Sequence, residues 1–239
     1  MALDFAYALY LMLVQKKEVS VGEVKGIVQR WYVLSVLTGR YSGSSETRFY
    51  TDIKSINEIG VVKTLENMEA AILSDNFWDV ALVQNLAYTS TINPTYLVYL
   101  AAQVAMNDMS LLSNNISVRY LVETAGDVHH IFPKEYLKSN GYEKNEYNQD
   151  ANYAYLDTQV NKSIGKKAPC EYLAEAITQC ETKIVTCGSI TDLNQLKANL
   201  EANCVPFETC NKDHTGYKDF LESRRKMMAA KIKKYYYSL

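Results

Sequence analysis

The chain has 239 residues, of which 48% are hydrophobic, 25 are Lys or Arg and 27 are Asp or Glu, so its formal net charge is −2. This length suits one or two packed domains, and the near-neutral charge excludes a protein that attracts nucleic acid through overall basicity. The longest apolar run, Phe5 to Val14, is too short to cross a bilayer and lacks the basic start of a signal peptide. We therefore expect a cytoplasmic protein without a membrane partner.

Helices predominate in the first half of the chain. Ser20 and Glu23 have the spacing of a capping box, which predicts a helix that begins there and ends at Gly39. Asn93 precedes a proline, and this pair predicts an N-cap with proline at the first helical position.

A polar run over residues 108–116 predicts the boundary between two parts of the chain. It divides a helical region, residues 1–115, from a second domain, residues 116–239. The second domain holds the residues that are best suited to catalysis.

The run DVHHIFPKEYL contains two of the three histidines of the chain, His129 and His130. Its β-branched and aromatic residues predict a short strand that ends at Pro133. Histidine titrates near neutrality and can take a proton from water. Neighbouring side chains of a strand point to opposite faces, so both imidazoles share one pocket only where the strand is curled or lies at an edge. One histidine can then bind a metal while the other faces the substrate.

The run NYAYLDTQVNKSIG follows and predicts a second short strand over residues 152–156. Asp157 or Thr158 can cap the helix after it, and that helix contains Asn161. Strand, loop, strand and helix form a small ββα unit, in which the helix can bring the Asn161 carbonyl to a cation held by His129. The predicted fold class is mainly α with a small β component (α+β).

The segment from Asp127 to Leu173 resembles the HNH nuclease domain of GmrSD-type restriction proteins, which are modification-dependent, type IV phage-defence enzymes. The likeness rests on HHIFPK, NKSIG and the Asn152–Asn161 spacing, and it extends to WYVLSVLTGRYSGSSETRF, NPTYLVYLAA and FLESRRKMMAAKIKKYY on the flanks. It implies an HNH ββα-metal nuclease core embedded in helices, which hydrolyses phosphodiester bonds of modified DNA in phage restriction. The family's NTP-dependent amino-terminal half has no counterpart here, which implies a fragment or a separate partner protein.

The resemblance also implies a role for each motif residue. His130 would be the general base that activates water, and Asn152 would hold the loop and orient that base. The metal ligands would be His129, Asn161 and, as a carboxylate helper, Asp127. Some relatives carry a further histidine where this chain has Gly165. The expected cofactor is therefore an oxygen-preferring Mg²⁺ or Mn²⁺.

Basic side chains near the motif would neutralise the phosphates of bound DNA. They are Lys134, Lys162, Lys166 and Lys167. A second basic region, which includes Arg224 and Lys231, lies on a carboxy-terminal helix that either docks on the protein or contacts DNA. Two function classes stay open: a metal-dependent DNA endonuclease, and a non-catalytic nucleic-acid-binding or assembly module of a defence system. RNA cleavage is a further enzymatic alternative.

Overall fold

The computed structural model describes residues 1–17, 19–87, 93–126 and 128–239. The chain is mainly helical with a small β component, so the predicted fold class is confirmed. It divides into two compact units, one formed by residues 1–82 and 232–239 and the other by residues 83–231. None of the helices in the described ranges has the length and apolar content that are needed to cross a membrane.

The unit formed by residues 1–82 and 232–239 contains four long helices. These are α1 (Ala2–Lys16), α2 (Val21–Thr38), α3 (Ser45–Ile59) and α4 (Val61–Ile72). The predicted capping box opens α2, where the Ser20 N–H donates to Glu23 Oε2 at 3.0 Å. Gly39 ends α2 with a φ of 59°, the left-handed conformation that glycine adopts without strain. A π-helical turn over Phe77–Ala81 buries Trp78 in this unit.

The other unit is built from helices around a small antiparallel sheet. Its elements are α5 (Leu82–Asn85), which starts at the boundary, α6 (Pro94–Ala105), α7 (Val118–Glu123), β1 (Val128–His130), α8 (Lys134–Ser139), α9 (Lys144–Tyr147), β2 (Tyr153–Tyr155), α10 (Thr158–Ile164), α11 (Pro169–Thr182), α12 (Leu193–Ala202) and α13 (Tyr217–Tyr236). Strands β1 and β2 pair antiparallel, with His129 opposite Ala154. Asp157 caps α10, since its Oδ1 accepts the Gln159 N–H at 2.8 Å. The predicted ββα unit is confirmed.

The compact units divide the chain at Leu82, whereas the sequence places a boundary at residue 115. The two boundaries differ because residues before 115 form hydrogen bonds with the segment that contains β2. The Asn93 side-chain amide donates to Asp150 Oδ2 at 2.7 Å, and the Leu111 N–H donates to the Tyr155 carbonyl at 3.0 Å. These bonds join residues far apart in the chain, and local polarity does not reveal them.

Helix α13 supplies residues to both units. In the unit of residues 83–231, Arg224 is 1% exposed and its Nη1 donates to the Ala151 carbonyl at 2.8 Å. Lys231 forms an ion pair of 2.5 Å with Asp108. In the other unit, the Tyr236 hydroxyl donates to a Glu69 carboxylate oxygen at 2.5 Å. The helix is docked along its length, and Arg224 and Lys231 face inward rather than presenting a basic surface.

Candidate functional site

His129 and His130 lie on β1 and line the same pocket, which has a volume of about 180 Å³. His129 is buried, while His130 is partly exposed. The pocket is also lined by Asn161, Lys134 and Gly165. Strand β1 pairs with β2 in a sheet of two strands, so it is an edge strand. An edge strand is one of the two arrangements in which both imidazoles can share one pocket. The structure thus brings together both histidines and the second motif asparagine.

The closest polar pair in this pocket is His129 with Asn161. Nδ1 of His129 and Oδ1 of Asn161 lie 2.5 Å apart, because the capped helix α10 presents Asn161 to the strand. Burial lowers the pKa of His129 to about 4, although the Asn161 hydrogen bond opposes the shift. The ring is therefore neutral at pH 7, and its Nε2 is buried without a hydrogen-bond partner among the residues described.

An imidazole nitrogen and an amide oxygen are ligands that a divalent cation which keeps several waters can take. In the observed contact the Asn161 oxygen accepts the proton on Nδ1, so Nδ1 would become a ligand only once that proton has moved to Nε2. Asp127, the third predicted ligand, lies outside the described residues. Within the described ranges, no group of three or more His, Cys, Asp or Glu side chains is placed to hold a metal ion. The fit therefore depends on His129 and Asn161.

His130 contacts Asn148, a residue outside the predicted set of site residues. Its Nε2 lies 3.0 Å from Oδ1 of Asn148, and its ring meets the Tyr153 ring edge-on with centroids 4.9 Å apart. Burial lowers the pKa of His130; the Asn148 hydrogen bond opposes this shift and the charge of Lys134 adds to it. A neutral ring at pH 7 can accept a proton from water. No signal in the sequence separates Asn148 from the nearby Asn145.

Asn152 is fully buried, and its side chain forms hydrogen bonds with main-chain groups of the loop that joins the two strands. Its Oδ1 accepts the Phe132 N–H at 2.8 Å, and its Nδ2 donates to the carbonyls of Phe132 and Tyr147 at 3.1 and 3.0 Å. The expected loop-holding contacts are thus present. The side-chain contact with the predicted base comes from Asn148 instead of Asn152, because both ends of the Asn152 amide bind main-chain groups.

The predicted phosphate-binding lysines differ in their surroundings. Lys134 is exposed and lines the pocket, and Lys162 and Lys166 are exposed beside Asn161 and Gly165 in the chain. Lys167 instead donates to both carboxylate oxygens of Glu175, at 2.7 and 2.8 Å. Its charge is already paired, which makes it the weakest of the four for binding phosphate.

Gly165 ends α10 at the rim of the pocket. Its φ is 58° with ψ at −115°, a backbone conformation that residues with a side chain rarely adopt. A histidine at this position would require a different local backbone. The residue at position 165 therefore offers no side chain to the rim of the pocket.

The chain is similar to an uncharacterized protein of Methanocaldococcus jannaschii, with 25% identity over 224 residues. The match covers 86% of this chain and 36% of that protein, so the chain spans about a third of the length of this curated relative. No solved structure matches the chain. No protein-family model matches it either, so the resemblance to the HNH nucleases stays a prediction.

Proposed function

We propose that the chain is a metal-dependent HNH endonuclease that hydrolyses phosphodiester bonds of DNA, in the restriction of phages with modified DNA. One observation carries the proposal: His129 Nδ1 and Asn161 Oδ1 meet at 2.5 Å in the pocket that His130 also lines. The ββα arrangement supports the same assignment.

In the proposed reaction, His130 accepts a proton from the attacking water. Its lowered pKa leaves the ring neutral at pH 7, which is the state that can accept this proton. Asn152 fixes the loop that follows His130. Exposed Lys134 would attract the phosphates beside the scissile bond. Held by His129 and Asn161, Mg²⁺ or Mn²⁺ would stabilise the charge that grows on the phosphate and on the departing 3′ oxygen.

The test is cleavage of supercoiled plasmid, unmodified and carrying modified bases, in Mg²⁺ or Mn²⁺ and in EDTA. Removal of a general base typically slows a reaction by about 10²–10⁴-fold, so His130→Ala should lose cleavage to that extent and keep DNA binding. His214→Ala is the matched control, since His214 contacts Tyr136 and is not among the residues that line the pocket. We expect the control to cut like the wild type.

Equal cutting by wild type and His130→Ala would show that the base is misassigned. Wild-type protein that cuts none of these DNAs with any divalent metal, alone or with an NTP-dependent partner protein, would favour the non-catalytic assembly module. The same assay with RNA in place of DNA distinguishes the ribonuclease alternative.

A further inference from the structure

The contact between Asn148 and His130 lies outside the His-His, Asn and Asn motif. Asn148 is the residue at the carboxyl end of α9, and its Oδ1 lies 3.0 Å from His130 Nε2. An amide oxygen can only accept a hydrogen bond, so this geometry requires the proton of the neutral ring to be on Nε2. Nδ1 is then the ring nitrogen with a free lone pair.

The loop that carries Asn148 is held in place from several directions. Glu143 and Glu146 form a capping box at the start of α9. The Tyr217 hydroxyl donates to the Glu146 carbonyl at 2.9 Å, and Asn152 Nδ2 donates to the Tyr147 carbonyl at 3.0 Å. These bonds fix the main chain on the amino-terminal side of Asn148, so the position of its side chain is set before any substrate binds.

The ring of His130 is fixed on its other sides as well. Tyr153 meets it edge-on with centroids 4.9 Å apart, and Tyr147 does so at 6.2 Å. With the ring plane set by two tyrosines and Nε2 held by Asn148, Nδ1 is the nitrogen left for the pocket that His130 lines.

We propose that Asn148 is the positioning residue of His130: it holds the ring in the tautomer with the proton on Nε2 and so makes Nδ1 the nitrogen that accepts the proton from water. The inference deepens the proposed nuclease function and rests on it for its catalytic consequence. Residues that hold a metal-binding histidine through its second ring nitrogen typically contribute about 10–100-fold to metal affinity or activity, and we expect an effect of the same size for a histidine that acts as a base.

The experiment compares three variants in the full chain. Asn148→Leu keeps the approximate shape and removes the acceptor, whereas Asn148→Asp keeps an oxygen at the same place. Asn145→Leu is the matched control, because Asn145 lies on the same helix α9, is exposed and lines the neighbouring pocket. Plasmid cleavage gives kcat and KM. The ¹⁵N spectrum of the histidine rings at pH 8 gives the tautomer, with His130 assigned by comparison with His214→Ala and His130→Ala.

We expect Asn148→Leu to lower kcat about 10–100-fold at unchanged KM and to lose the uniform Nε2–H state, while Asn148→Asp restores both and Asn145→Leu changes neither. The inference is overturned if Asn148→Leu keeps the Nε2–H state, or if it cuts DNA as fast as Asn145→Leu does. The spectrum does not depend on cleavage. A tautomer that follows residue 148 in a protein without nuclease activity would support the positioning role while refuting the proposed function.

Discussion

Replacing Asp150 with Asn should stabilise the protein, and the gain should grow with pH. Asp150 is fully buried, Asn93 donates to its Oδ2 at 2.7 Å, and its Oδ1 has no partner among the residues described. Burial raises the pKa of this carboxyl from 3.8 to about 7. Because the folded pKa exceeds the unfolded one, the contribution of this carboxyl to stability is fully present below pH 3.8 and is lost as pH rises to 7.

The magnitude follows from the two pKa values. They differ by about 3 units, and each unit corresponds to about 1.36 kcal/mol, so the free energy of unfolding falls by at most about 4 kcal/mol. Of this decrease, about 2–3 kcal/mol occurs between pH 5 and pH 8. Asn keeps an oxygen for Asn93 and carries no charge, so Asp150→Asn removes this loss. Urea denaturation from pH 5 to pH 8 measures it, with Asp79→Asn, on the exposed surface, as the control. Parallel stability profiles for wild type and Asp150→Asn would refute the reasoning and would indicate that Asp150 is ionised in the folded protein.

Two further changes test the site. Asn152→Ala should lower the free energy of unfolding by about 3 kcal/mol, because it leaves buried main-chain groups unpaired, and a loss below about 0.5 kcal/mol in urea denaturation would contradict this role. Lys134→Ala should weaken DNA binding and reduce its salt dependence more than Lys167→Ala does, because Glu175 already pairs Lys167. Equal effects in a fluorescence anisotropy titration over several salt concentrations would show that the ion pair does not limit Lys167.

The ββα unit was predictable because each part has a local cause. Asp157 caps α10 through its carboxylate, as aspartate does at many helix starts. The β-branched and aromatic residues around the histidines favour a strand, but this strand ends at His130 and not at Pro133, which instead precedes α8. The spacing from Asp157 to Asn161 then places the asparagine on α10. His129 and Asn161 come into contact because β1 pairs with β2 and α10 follows β2 directly.

The support around the site was not predictable in the same way. Asn148 and Asn145 are both asparagines in one polar loop, and only the folded position of α9 decides which of them reaches His130. Arg224 belongs to a run of basic residues that is typical of an exposed surface, yet its guanidinium is buried and donates to the Ala151 carbonyl. Such contacts join residues far apart in the chain and have no local pattern.

Helix α13 has a consequence for the synthesis of the protein on the ribosome. Residues of this helix up to 231 belong to one unit, in which the rings of Phe220 and Phe132 have their centroids 4.8 Å apart. Residues from 232 onward belong to the other unit, in which the Tyr236 ring packs against the Trp78 ring. Neither core is complete until α13 has been translated, and the Ala151 carbonyl, just before β2, lacks the Arg224 hydrogen bond until then. A chain that terminates before α13 would therefore lose core contacts in both units at once, so a single truncation would destabilise the two units together.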